Sequence, residues 1–181
     1  MPRNIEIKAR VADLPALRTR ARALATAPEQ QLQQDDSFFV LPAGRGRLKL
    51  RQFADGSAEL IHYQRADDTG AKASDYVRVP QPDGDACREA LARALGLLGR
   101  VRKQRTLLMV GRTRVHLDAV EGLGDFMELE VVLRDGEPDA AGAAEAESLM
   151  AALGLADAPR LAGAYLDLLD AAGPAAAAEA R

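Results

Sequence analysis

The chain has 181 residues, 24 basic and 27 acidic side chains, a formal net charge of −3 and 48% hydrophobic residues. That length and balance suit one folded domain with a sizeable core and exclude the large basic excess of a nonspecific nucleic-acid binder. The lone cysteine, Cys87, excludes an intramolecular disulfide; no apolar run reaches membrane-spanning length and no apolar leader opens the chain, so a cytoplasmic protein with neither nucleic-acid nor membrane partners is expected.

Residues 3–11 alternate apolar and polar, which predicts a half-buried strand. Asp13 then caps a helix in which Leu14, Leu17, Ala21 and Leu24 keep helical spacing, closed by Pro28. Strands are predicted over 30–41, 47–53, 57–65 and 74–80, the second and third of these joined by an Asp55-Gly56 hairpin turn. A second helix with an Asp cap is predicted over 83–99, followed by strands over 101–110, 113–121 and 125–133. Helices over 139–154 and 158–173 complete a domain spanning 1–173, and the alanine-rich 174–181 reads as a low-complexity tail. About eight strands joined mostly by hairpin-length links, with helices inserted between some of them, predict an antiparallel α+β architecture and not a doubly wound one.

The polar faces of these strands are charged. One face of the first strand carries Glu6, Lys8 and Arg10, and the later strands add Arg47, Lys49 and Arg51, then Glu59 and Arg65, then Arg78. The last three strands bring Lys103 and Arg105, His116 and Asp118, and Phe126, Glu128 and Glu130. A single such strand is ordinarily a wet surface. Seven of them, in a sheet whose apolar faces must be covered by helices, point elsewhere. If the sheet closes, the charges point inward, and a dry interior is excluded because unpartnered buried charges are too costly. The interior must then be a wet, ligand-sized tunnel. Its carboxylates suit Mg²⁺ or Mn²⁺ and its bases suit phosphate groups.

The segments IEIK (5–8), LKLR (48–51), VRKQR (101–105) and HLDAVEGLGDFMELE (116–130) occur in an order and spacing that resemble the CYTH family of triphosphate tunnel metalloenzymes, named for class IV adenylyl cyclases and thiamine triphosphatases. The likeness runs from about residue 3 to about residue 170 and is nearest the compact bacterial cyclase-like branch. It implies an eight-stranded antiparallel barrel, a triphosphate-containing small molecule as ligand, Mg²⁺ or Mn²⁺ as cofactor, and relatives that are often homodimers. It places Lys8, Lys49, Arg51, Arg65, Lys103 and Arg105 on the phosphates, with Arg10 and Arg78 as further bases of the same faces. It places Glu6, Asp118, Glu128 and Glu130 on the metal, with Glu6 and Lys8 in catalytic roles.

One residue departs from the pattern. Asn4 stands where the family's E-x-E-x-K signature has its first Glu; its amide oxygen can ligate a metal but brings no charge. The expected activity is metal-dependent triphosphate hydrolysis; the alternatives are a class IV adenylyl cyclase making cyclic AMP and pyrophosphate, and a non-catalytic triphosphate- or polyphosphate-binding module. His116 and His62 read as hydrogen-bonding wall residues, the Gly-Arg-Gly-Arg at 44–47 as a hairpin turn, and Tyr63, Tyr76 and Phe126 as core or wall.

Overall fold

The computed structural model describes residues 3–65 and 71–173, the side chains of Arg65 and Lys72 excepted. The expected tail at 174–181 and the expected phosphate contact of Arg65 lie outside the described residues. The strands are β1 (Arg3–Arg10), β2 (Gln30–Phe39), β3 (Arg47–Phe53), β4 (Ala58–Arg65), β5 (Lys72–Gln81), β6 (Leu97–Val110), β7 (Thr113–Val120) and β8 (Gly124–Val132). Every neighbouring pair is antiparallel, and the sheet closes in the order β1-β5-β4-β3-β2-β6-β7-β8, the barrel that the resemblance implies. Four helices are described: α1 (Leu14–Leu24), α2 (Gly84–Leu95), α3 (Asp139–Ala152) and α4 (Tyr165–Ala172). None among the described residues is long and apolar enough to cross a membrane.

The period-2 pattern decides which face meets which partner. Ile5, Ile7 and Ala9 of β1 point outward and join Val115, Leu117, Met127, Leu129 and Val131 under α1 and α3, which contribute Leu17, Ala21, Ala146 and Met150, with Leu153 just past the end of α3. Full burial of a Leu or Ile side chain contributes about 1.5–3 kcal/mol, so this layer fixes which way the charged faces turn. The helices begin where capping residues allow: the carboxylates of Asp13 and Asp83 each accept the backbone N–H three residues on, at 2.9 Å. On α3, Gly142 lets the helix approach the barrel; a Cβ there would lie 2.7 Å from Ile5 and 2.6 Å from Leu133.

Two helix predictions need correction. The helix expected over 83–99 stops at Leu95, because Gly96 takes φ +85° while its N–H still bonds Ala92 O at 3.0 Å. The chain then re-enters the sheet, with Leu97 and Gly99 paired to β2. The helix expected over 158–173 is only α4. Before it, around Pro159, the chain runs beside β1, with Arg160 bridged to Ala9 and the N–H of Leu161 donating to Lys8 O at 2.9 Å.

That detour places α4 across one end of the barrel. There the inward residues Phe38, Val101 and Phe126 pack with Tyr165, Leu166 and Leu169 into a buried apolar stopper. The Arg47 guanidinium holds α4 from below through Asp167 at 2.7 Å. The opposite end is lined by Gln30, Phe53, Glu59, Arg78 and Leu107, all exposed or half-buried.

Candidate active site

Between the stopper and the open end lies a cavity of about 360 Å³. Of the residues expected from the sequence, it is lined by Asn4, Glu6, Lys8, Lys49, Arg51, Arg78, Lys103, Arg105, Glu128 and Glu130. Two others are not brought to it. Arg10 stands beyond the stopper, over the Phe126 ring at 4.7 Å and donating to Leu123 O at 2.8 Å. Asp118, expected as a metal ligand, is fully buried behind Arg105, accepting its Nε at 2.6 Å and the Tyr165 hydroxyl at 2.9 Å. Register explains both: each is one step too far along its strand, level with Phe126, where the interior is already apolar.

The carboxylates gather on β1 and β8. Glu6 is directly opposite Glu130 and Lys8 opposite Glu128, so these four share one wall. On the other flank of β8, β7 sets His116 opposite Glu128 and Arg114 opposite Glu130. Lys8 Nζ lies 3.3 Å from Glu128, Arg105 donates to Glu128 at 2.7 Å, and Arg114 donates to Glu130 at 2.7 Å. Burial raises both carboxyl pKa values, but the neighbouring basic side chains outweigh it. Lys8, His116 and Arg105 hold Glu128 well below the ordinary range, and His116, Arg114 and Arg105 hold Glu130 at about 2. Both are therefore ionised and ready to exchange an internal cation for a bound one.

The sequence reading leaves His116 in the wall. The structure puts its Nδ1 3.9 Å from Glu128 and 3.7 Å from Glu130, buried and with no hydrogen-bond partner. One nitrogen and two carboxylate oxygens thus lie within 4.8 Å of one another. The sequence already sets His116 on the charged face with Asp118; what it does not show is the register that brings His116 opposite Glu128.

The bases gather around an acid that the sequence reading also missed. Asp36 on β2 is 1% exposed and bonds Lys49, Arg51 and Lys103 from the two flanking strands. Burial and the neighbouring Arg51 push the Lys49 pKa down to about 7 despite Asp36, and burial lowers Lys103 as well. Lys8 and Lys103 also face the stopper, 4.3 and 5.5 Å from the Tyr165 ring, and Lys8 donates to Gly163 O at 2.8 Å. The innermost part of the cavity therefore carries Lys8 and Lys103.

The CYTH domain profile matches residues 2–165. The chain belongs to the CYTH family. Among solved structures, the fold is shared with the PH1012 protein from Pyrococcus horikoshii OT3 at TM-score 0.81 and 22% identity, covering 91% of this chain and 98% of that one. A candidate adenylate cyclase from Vibrio parahaemolyticus matches at TM-score 0.74 and 20% identity, with 92% and 97% covered. HpAC1 from Hippeastrum, an adenylyl cyclase candidate whose structure is described with a dominant triphosphatase activity, matches at 0.59 and 20%, with 88% and 90% covered. At these identities the likeness is one of fold. No curated protein matches the chain.

CYTH proteins are metalloenzymes, and the residues present fit a divalent cation. The orphaned His116 Nδ1 and the two ionised carboxylates form a donor set that needs only small movements to close on one ion. Glu6 stands opposite Glu130 to add an oxygen, and the buried Asn4 Oδ1 has no hydrogen-bond partner. An imidazole nitrogen among oxygens suits Mn²⁺ better than an all-oxygen set does, while still accepting Mg²⁺.

Proposed function

We propose that the cavity binds the triphosphate group of a small molecule and that the protein hydrolyses the terminal phosphoryl bond, as a triphosphatase dependent on Mg²⁺ or Mn²⁺. The observation that carries this reading is the convergence of Lys8, Lys49, Arg51, Lys103 and Arg105 within a cavity of about 360 Å³ that is stoppered at one end. A linear triphosphate entering by the open end presents its terminal phosphate to the lysines beside the stopper. Three linked phosphates need several cations at once, and guanidinium forks and ammonium groups stabilise the charge that spreads over the equatorial oxygens in phosphoryl transfer. Glu128, Glu130 and His116 would hold the cation, with Glu6 and Asn4 near it; when bound, it neutralises phosphate oxygens and acidifies water. Lys8 and Glu128, 3.3 Å apart at the inner end, are placed to orient an attacking water on the terminal phosphorus.

A second reading is class IV adenylyl cyclase, in which the ribose 3′-hydroxyl attacks the α-phosphorus. The observation in its favour is an apolar lip at the open end, Phe53, Leu32 and Leu107 on the adjacent strands β3, β2 and β6, where a base could pack. Incubation with ATP, inorganic triphosphate and thiamine triphosphate, each with Mg²⁺ or Mn²⁺, separates the readings by product. Orthophosphate with a diphosphate supports hydrolysis, and cyclic AMP with pyrophosphate replaces it with cyclisation. Tight binding without turnover leaves a binding module whose metal site is weakened at Asn4.

A further inference from the structure

Asp36 takes no part in the carboxylate wall. It stands on β2 directly opposite Arg51 and diagonally across from Lys103, between the two strands that carry the phosphate-binding bases. Its Oδ2 accepts from Lys49 Nζ at 2.9 Å, Arg51 Nη2 at 2.7 Å and Lys103 Nζ at 3.2 Å, and its Oδ1 accepts from Arg51 Nε at 2.7 Å. One oxygen receiving three cationic donors is the environment a phosphate oxygen would meet in the same place.

Such a group can compete with the ligand for its cations, or it can hold them converged beside the ligand. The surroundings of Lys49 favour the second role. Arg51 faces it from its own strand, Lys103 from β6 and Asp36 from β2, while the rings of Phe38 and Tyr63 lie 5.5 and 5.7 Å away. Bases this close repel one another, and in a buried setting lysines answer by shedding protons. The negative charge of Asp36 opposes that loss. We propose that Asp36 is a positioning residue, a resident counter-ion that keeps Lys49, Arg51 and Lys103 converged on the triphosphate site.

This inference rests on the triphosphate reading. It is tested by calorimetric titration of inorganic triphosphate into the metal-free wild type, Asp36→Asn and Asp36→Glu at pH 6 and pH 8, with thermal melts alongside. At pH 8 Asp36→Asn should bind roughly tenfold or more weakly than the wild type, the loss of at least one charge-assisted contact. The gap should narrow at pH 6, where the lysines recover their protons, and Asp36→Glu should restore most of the affinity. Unchanged or tighter binding by folded Asp36→Asn makes Asp36 a competitor and overturns the proposal. A lower melting temperature with the same affinity ratio at both pH values makes the residue merely structural and also overturns it. If Asp36→Asn does not fold, the wild-type complex with triphosphate decides: retained bonds from Asp36 to Arg51 and Lys103 support the proposal, and a released carboxylate refutes it. A wild type that binds no triphosphate overturns the underlying reading first.

Discussion

Replacing Arg105 with Met separates what that side chain does for the fold from what it does for a ligand. Arg105 is 5% exposed and Asp118 is 0% exposed. Their bidentate contact runs at 2.6 and 2.5 Å, and the same guanidinium reaches Glu128 at 2.7 Å. Without it, Asp118 keeps the Tyr165 hydroxyl at 2.9 Å but holds a charge with no cation in contact. Breaking a buried pair from one side costs about 3–5 kcal/mol. In a domain of this size each kcal/mol moves Tm by about 2–4 °C, so Arg105→Met should melt roughly 6–20 °C below the wild type. Adding Asp118→Asn removes the stranded charge and should return most of that loss. Triphosphate affinity should behave differently, falling about tenfold or more in both variants because the cation is absent from both. Thermal melts and urea titrations read the first effect, and calorimetry reads the second. A single variant losing less than about 1 kcal/mol, the range of an exposed pair, would refute the reasoning. So would a double variant no more stable than the single one.

The remaining predictions concern the metal, the packing and the pH response. His116→Gln and Glu130→Gln should each weaken Mn²⁺ binding by about tenfold or more, read as free Mn²⁺ by electron paramagnetic resonance; unchanged affinity removes that residue from the ligand set. Gly142→Ala should destabilise the chain by about 1–3 kcal/mol in urea and leave triphosphate binding alone, because its Cβ would meet Ile5 and Leu133 on the outer side of the barrel. Lys49 titrates near 7 in the folded chain against 10.5 in the unfolded one. Between those values the unfolded chain holds the extra proton, so this group makes stability rise with pH. The stability of the wild type relative to Lys49→Met should therefore increase from pH 7 to pH 9, and a flat difference would show that Lys49 is not desolvated.

The charged strand faces were legible because a strand's period of two leaves little choice once Ile5, Ile7, Leu129 and Val131 must be buried, while closure into a barrel was implied by the family resemblance. The Glu-x-Glu pair and the paired bases at 103 and 105 followed from that parity alone. What escaped was depth along the tunnel. Alternation says that Arg10 and Asp118 face inward, but not that Phe126, level with both, begins the stopper. Asp36 escaped because its strand, Gln30–Phe39, shows one acid at an inward position among amides and apolar residues, with no charge pattern of its own. Its role exists only once β3 and β6 flank it. The end of α2 escaped because Leu97 and Leu98 continue the apolar spacing of the helix, and Gly96 overrides that spacing through its backbone.

The claim that three linked phosphates fit the stoppered cavity is tested most directly by equilibrium binding of orthophosphate, pyrophosphate and inorganic triphosphate to the metal-free protein at low ionic strength. The account predicts one site and an affinity that climbs steeply with each phosphate up to three, as successive groups reach Arg51, Arg105 and the inner lysines. Equal, weak binding of all three, or no binding, would contradict it.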